Sequence, residues 1–110
     1  MPLYMYQCAY TPESWAAQVK SPQNRMETVG PALCEAAGGK LVGAWLCFGE
    51  YDVVFIADLP NMESMASIAL AIAAGGAVKA SKTTVLMTGA QGVEALKKAA
   101  DVAKSYRPAK

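Results

Sequence analysis

Apolar and polar positions first alternate with a period of two. From Leu3 to Tyr10, Tyr4, Tyr6, Cys8 and Tyr10 fall on one side of the chain and Leu3, Met5, Gln7 and Ala9 on the other, the pattern of an aromatic-rich strand. Thr11-Pro12-Glu13 then supplies a cap, a proline for the first helical position and an acid for the first turn, and Ser21-Pro22 repeats this punctuation. The first helical layer is therefore expected in two pieces. Met26, Val29, Leu33, Ala36 and Ala37 recur at helical spacing in the second piece, which Gly38-Gly39 stops. Gly30-Pro31 lies inside that pattern, where proline removes a backbone donor at a cost of about 3 kcal/mol in an ideal helix, so a kink is expected.

Two strands follow, over residues 40–48 and 52–59, joined by Gly49-Glu50-Tyr51, a link short enough only for an antiparallel hairpin. The run Val53-Val54-Phe55-Ile56-Ala57 is apolar on both sides, as a central strand requires. Asn61 caps the next helix, whose buried side is expected to carry Met62, Met65, Ile68, Ala69 and Ile72 before Gly75-Gly76 closes it. Residues 77–87 read as a fourth strand. Thr88-Gly89-Ala90-Gln91 has the form of a capping box, and Val93, Leu96, Ala99, Ala100 and Ala103 share one side of a terminal helix that Pro108 ends.

Strand, helix, strand, strand, helix, strand, helix is the split βαβ order of a ferredoxin-like α+β domain, with sheet order four, one, three, two and both crossovers right-handed. At 110 residues the chain has room for one domain, with a core over about residues 3–90 and a terminal helix over about 89–106. Both main helices must then cover one face of the sheet, leaving about 400 Å² of the other face open. Composition sharpens this picture, since 54% of residues are hydrophobic and 17% charged, more apolar than a lone soluble subunit needs. A homodimer or higher homo-oligomer, two sheets packed face to face as a dimeric α+β barrel, is the simplest cover; the terminal helix is the other, though its register also suits docking at the subunit edge.

A formal charge of +1 provides no field to draw in nucleic acid or an anionic membrane. Histidine is absent, which removes Ser-His triads, histidine bases and nearly all zinc chemistry. Nothing calls for a cofactor or metal. Cys8, Cys34 and Cys47 form neither an even disulfide set nor a C-x-x-C pair and suit a reducing cytoplasm as small buried residues. The start of the chain lacks a signal-peptide pattern, and the longest apolar stretch, residues 65–78, is shorter than the roughly 18 residues of a membrane span.

Gly49-Glu50-Tyr51-Asp52 followed by Val53-Val54-Phe55-Ile56-Ala57 resembles the GYD domain, a small bacterial and archaeal family. Tyr10-Thr11, Ser21-Pro22-x-x-Arg25, Gly38-Gly39, and Ala73-Ala74-Gly75-Gly76-Ala77-Val78 leading to Thr83-Thr84 support the likeness, which spans about residues 3–90. It implies a ferredoxin-like fold of the dimeric α+β barrel group and no settled activity.

Each candidate for chemistry admits a structural and a functional reading. Asp52, entering a central strand, either satisfies turn amides or serves as a base with a raised pKa. Lys82 and Thr84 share one side of strand four, where lysine protects an edge or receives a ligand's carboxylate or enolate oxygen. Tyr4, Tyr6 and Tyr10 with Trp45 either pack the core or interface or line a pocket for a polycyclic or quinone-like ligand. Two functions follow. The first is an oligomeric module, structural or binding a small apolar metabolite through Tyr4, Tyr6, Trp45, Lys82 and Thr84. The alternative is a cofactor-independent monooxygenase, isomerase or cyclase using Asp52, Tyr6 and Lys82.

Overall fold

The computed structural model describes residues 2–109. Its elements run β1 (Leu3–Tyr10), α1 (Pro12–Lys20), α2 (Arg25–Ala36), β2 (Lys40–Leu46), β3 (Val53–Asp58), α3 (Met62–Ala74), β4 (Val78–Leu86) and α4 (Gly89–Val102), with a last 3-10 turn over Ala103–Ser105. The four strands form one antiparallel sheet in the order β2-β3-β1-β4, the expected ferredoxin-like arrangement.

Strand alternation sorts the side chains. Tyr4, Tyr6, Cys8 and Tyr10 of β1 and Val53, Phe55 and Ala57 of β3 point to one face and are buried there with Cys34 of α2 and Met65 and Ile68 of α3. Trp15, Met26, Leu33 and Ile72 close the edges of this core. Tyr6 and Phe55, paired across β1 and β3, stack with ring centroids 5.0 Å apart, while Trp15 meets Tyr10 edge to face at 5.1 Å. The other face carries Leu3, Met5, Gln7, Val54, Ile56 and Trp45 with Lys82 and Thr84 of β4, and no helix packs across it.

Local chemistry sets the helix boundaries. Thr11 Oγ1 accepts from the Ser14 amide and Asn61 Oδ1 from the Ser64 amide, capping α1 and α3 as their sequences require. Ser21-Pro22 acts differently from expectation: the Ser21 amide donates to Ala17 O and closes α1, and α2 starts only at Arg25, after Asn24. Helix α2 continues through Pro31, so this proline does not divide it. At its end Gly38 takes φ +91°, and Gly39 passes so close to β3 that any Cβ would lie 2.0 Å from Asp58 O, leaving room only for glycine. Met62 departs from its expected burial. It stands exposed at the start of α3, on the same side as Met65 and Ala69 but over a groove that nothing in the chain fills.

The hairpin is also longer than its Gly-Glu-Tyr link. Regular pairing ends at Leu46 and resumes at Val53, and one further bond, Cys47 N–H to Asp52 O at 2.8 Å, narrows the loop to residues 48–51. Helix α4 has the expected capping box, Thr88 Oγ1 accepting from the Gln91 amide and Gln91 Oε1 from the Thr88 amide. It covers neither face of its own sheet. It projects from the domain, and the molecule measures 58 × 34 × 23 Å.

Candidate functional site

Three recesses take in proposed site residues, Tyr6 in the first, Lys82 in the second and Tyr4 in the third, while Asp52, Trp45 and Thr84 line none of the three. The first is a half-open chamber of about 70 Å³ between α2 and the sheet, lined by Tyr6, Cys8, Val53 and Phe55 below and Arg25, Met26, Val29, Gly30 and Leu33 above. It forms because α2 leans on β2, whose small Ala44 leaves the space unfilled. Tyr6 is 1% exposed, and its hydroxyl makes no hydrogen bond of ordinary geometry. Burial raises the Tyr6 pKa, with Ser81, a diagonal neighbour on β4, drawing it partly back. Cys8 is pushed up to about 11, first by burial and then by the negative charge of Asp52 and the nearby Cys47. Both groups therefore stay protonated at neutral pH. Tyr10 is raised mainly by burial, and the Arg25 guanidinium beside it acts in the opposite direction.

The second is a recess of about 330 Å³ at the end of the open face, where Gln7 and Lys82 meet Cys47, Phe48, Gly49, Glu50 and Tyr51 of the hairpin loop. Trp45, Val54, Gln7 and Lys82 lie in one row across the sheet. The Trp45 indole lies over Gly43, where a Cβ would come within 2.7 Å of the ring, and the side chain remains 54% exposed. Phe48 at the loop tip is 98% exposed.

The third is an apolar groove of about 580 Å³ on the helical side, between α3 and the edge strand β4. Tyr4 forms its floor with Met65 and Ala69, and Met62, Leu70 and Val85 its walls.

Within one chain, Tyr6 and Lys82 do not converge. Tyr6 pairs with Thr83 on the helical face, whereas Lys82 pairs with Gln7 on the open face, because neighbouring residues of a strand point oppositely. Tyr4 likewise lies on the helical side and Trp45 and Thr84 on the open side. Asp52 is already engaged: its Oδ2 accepts from the Tyr10 amide at 2.9 Å, its own amide donates to Cys8 O at 2.8 Å, and its carbonyl receives Cys47 N–H. It ties β1 to the hairpin, satisfying an amide of the neighbouring strand rather than of its own turn. Among the described residues, no group of three or more His, Cys, Asp and Glu side chains could hold a metal, and no helix is long and apolar enough to cross a membrane.

Arg25, Val29 and Ala44 of the chamber are absent from the candidate site residues read from the sequence, although Val29 lies on the helical pattern and Arg25 in the family-like segment. Arg25 carried a signal, as the sole basic residue of α2, but nothing in the periodicity places its stem over Tyr6 and Cys8.

A family model described as GYD domain matches residues 4–96. No curated protein matches the sequence. Among solved structures, a hypothetical protein from Pyrococcus horikoshii aligns with a TM-score of 0.51 and 13% identity, over 80% of this chain and 92% of that one. A protein from Agrobacterium tumefaciens aligns with a TM-score of 0.51 and 14% identity, over 81% and 94%. A third, MtbAldR, gives a TM-score of 0.54 and 11% identity over 79% of this chain but 52% of its own length. These likenesses concern the fold.

Proposed function

The chain belongs to the GYD domain family, and on that footing we propose that it is a homodimeric binding module whose chamber between α2 and the sheet holds a small apolar molecule. The observation that carries this reading is the chamber itself, a half-open and wholly apolar space of about 70 Å³ against the buried Tyr6 and Cys8 side chains. A cavity of roughly 150 Å³ accommodates benzene, so a chamber of this size suits an aliphatic fragment of a few heavy atoms rather than a polycyclic or quinone-like ligand.

The dimer follows from the open face. Met5, Val54, Ile56 and Trp45 form an apolar field there, and a second copy of the same face is its simplest complement. Binding is favoured over catalysis because Asp52 is bound to backbone and Lys82 stands across the sheet from Tyr6.

Native mass spectrometry of the purified full chain, with Ala44→Leu as the comparison, tests both parts. Wild type is expected as a dimer retaining a small molecule, or taking up 1-propanol when that is added. Ala44→Leu fills the chamber and is expected to lose the small molecule while remaining dimeric. A monomer at micromolar concentration overturns the dimer. Equal retention by the two proteins overturns the chamber as the binding place.

A further inference from the structure

We propose that α4 is an exchanged arm, which seats its apolar stripe in the α3/β4 groove of a second copy of this chain. The inference is separate from the sheet-face contact and rests on other residues. Val93, Leu96, Ala99, Ala100 and Ala103 form the stripe, yet every one of them is exposed, Leu96 by 72%, because α4 scarcely touches the rest of its own chain. A 14-residue helix is marginal alone in water and gains its stability by burying such a stripe. The same chain carries an apolar groove in which Met62, Leu70 and Val85 are equally uncovered. Helix and groove are complementary surfaces that one chain does not bring together.

The link explains why. Only Met87 and Thr88 separate β4 from α4, and Val85, two residues before the link, is a wall of the groove. To lie in its own groove the helix would have to fold back along the strand it leaves, whereas from its capped start at Thr88 it runs away from the domain. A second copy meets both needs reciprocally, arm to groove and groove to arm, under a two-fold axis.

Size and charge agree with this occupant. As a cylinder about 21 Å long and about 10 Å wide, the arm has about 660 Å² of side surface, and seating half of it withdraws about 330 Å² from water on each surface. Two exchanged arms therefore bury about 1,300 Å², near the lower bound of a standard stable interface. Glu63 is the charged residue lining the groove, and Lys97 borders the stripe next to Leu96. The Lys97 ammonium meets Glu94 at 3.4 Å on an exposed surface, a pair that constrains it little.

Site-directed crosslinking decides the matter. In full-length chains carrying Cys47→Ser to remove the half-exposed native thiol, one protein bears Leu70→Cys and another Leu96→Cys. Mixed and oxidised, they are expected to form a disulfide-linked heterodimer at least tenfold above a Val19→Cys plus Leu96→Cys control, and to lose it when Val93→Asp is added to the arm. The linkage is expected to survive Trp45→Glu, so failure of the sheet-face dimer is read separately. A linkage no stronger than the control overturns the proposal and leaves the groove to another occupant. A chain bearing both cysteines that closes within itself, independently of concentration, overturns it in favour of the chain's own groove.

Discussion

The carboxylate of Asp52 accepts a hydrogen bond at 2.9 Å from the backbone N–H of Tyr10, a residue 42 positions earlier. With Asp52 N–H donating to Cys8 O, the residue carries the β1–β3 ladder one step past the end of β3. Asparagine keeps an acceptor at this place and alanine does not. Asp52→Asn is therefore expected to retain nearly the full unfolding free energy, and Asp52→Ala to lose about 1–3 kcal/mol, the cost of stranding an amide that had a charged acceptor. Urea denaturation measures both. Equal losses in the two variants would show that the Tyr10 contact is not what the carboxylate contributes.

Cys8 gives the fold a pH dependence of known sign. Its pKa rises from 9.0 to about 11 through burial, then Asp52 and Cys47, so between those values the unfolded chain releases a proton that the folded chain keeps. Stability from this thiol is full below pH 9 and declines as pH rises toward 11. Wild type is expected to lose on the order of 2 kcal/mol more than Cys8→Ala across that interval. Parallel denaturation curves for the two proteins from pH 8.5 to 10.5 would remove Cys8 as the source.

Two glycines should respond oppositely to alanine. At Gly39 a Cβ meets Asp58 O at 2.0 Å and the Leu59 backbone at 3.0 Å, so the α2–β2 junction must move away from β3. A loss of more than about 3 kcal/mol, or failure to fold, is expected for Gly39→Ala. At Gly49 nothing in the chain lies within 4 Å of the added atom, and Gly49→Ala is expected to change stability by less than about 0.5 kcal/mol. Thermal unfolding of the pair checks both, and a similar shift in each would contradict the close approach at Gly39.

Period-two alternation made the sheet legible, because burying one face forces Tyr4, Tyr6, Cys8 and Tyr10 to the same side. Capping chemistry did the same for α1, α3 and α4, where Thr11, Asn61 and Thr88 each bind the amide their position demands. Ser21 misled because a serine before proline has the composition of a helix start whichever neighbour its amide finds. The site was less legible. Alternation places Lys82 and Tyr6 on faces only once the register of β1 with β4 is known, and a bulge between Ala9 and Tyr10 shifts that register in a way no local pattern reveals. The chamber depends on how far α2 stands off Ala44, a packing distance with no periodic trace.

Trp45 offers a direct reading of the open face. Its indole is 54% exposed in the single chain and lies in the row with Val54, Gln7 and Lys82, so a second sheet packed on that row must cover it. In a Trp15→Phe background, which leaves Trp45 as the sole indole, emission is expected to move to the red as the protein is diluted and the dimer separates. Trp45→Glu places a charge in the middle of the contact. Its removal from water without a partner costs several kcal/mol, which predicts association at least 100-fold weaker by sedimentation equilibrium, with the fold retained because the helical core does not touch this side chain. An emission maximum independent of concentration, together with an unchanged dimer in Trp45→Glu, would mean that the two sheets do not meet through this face.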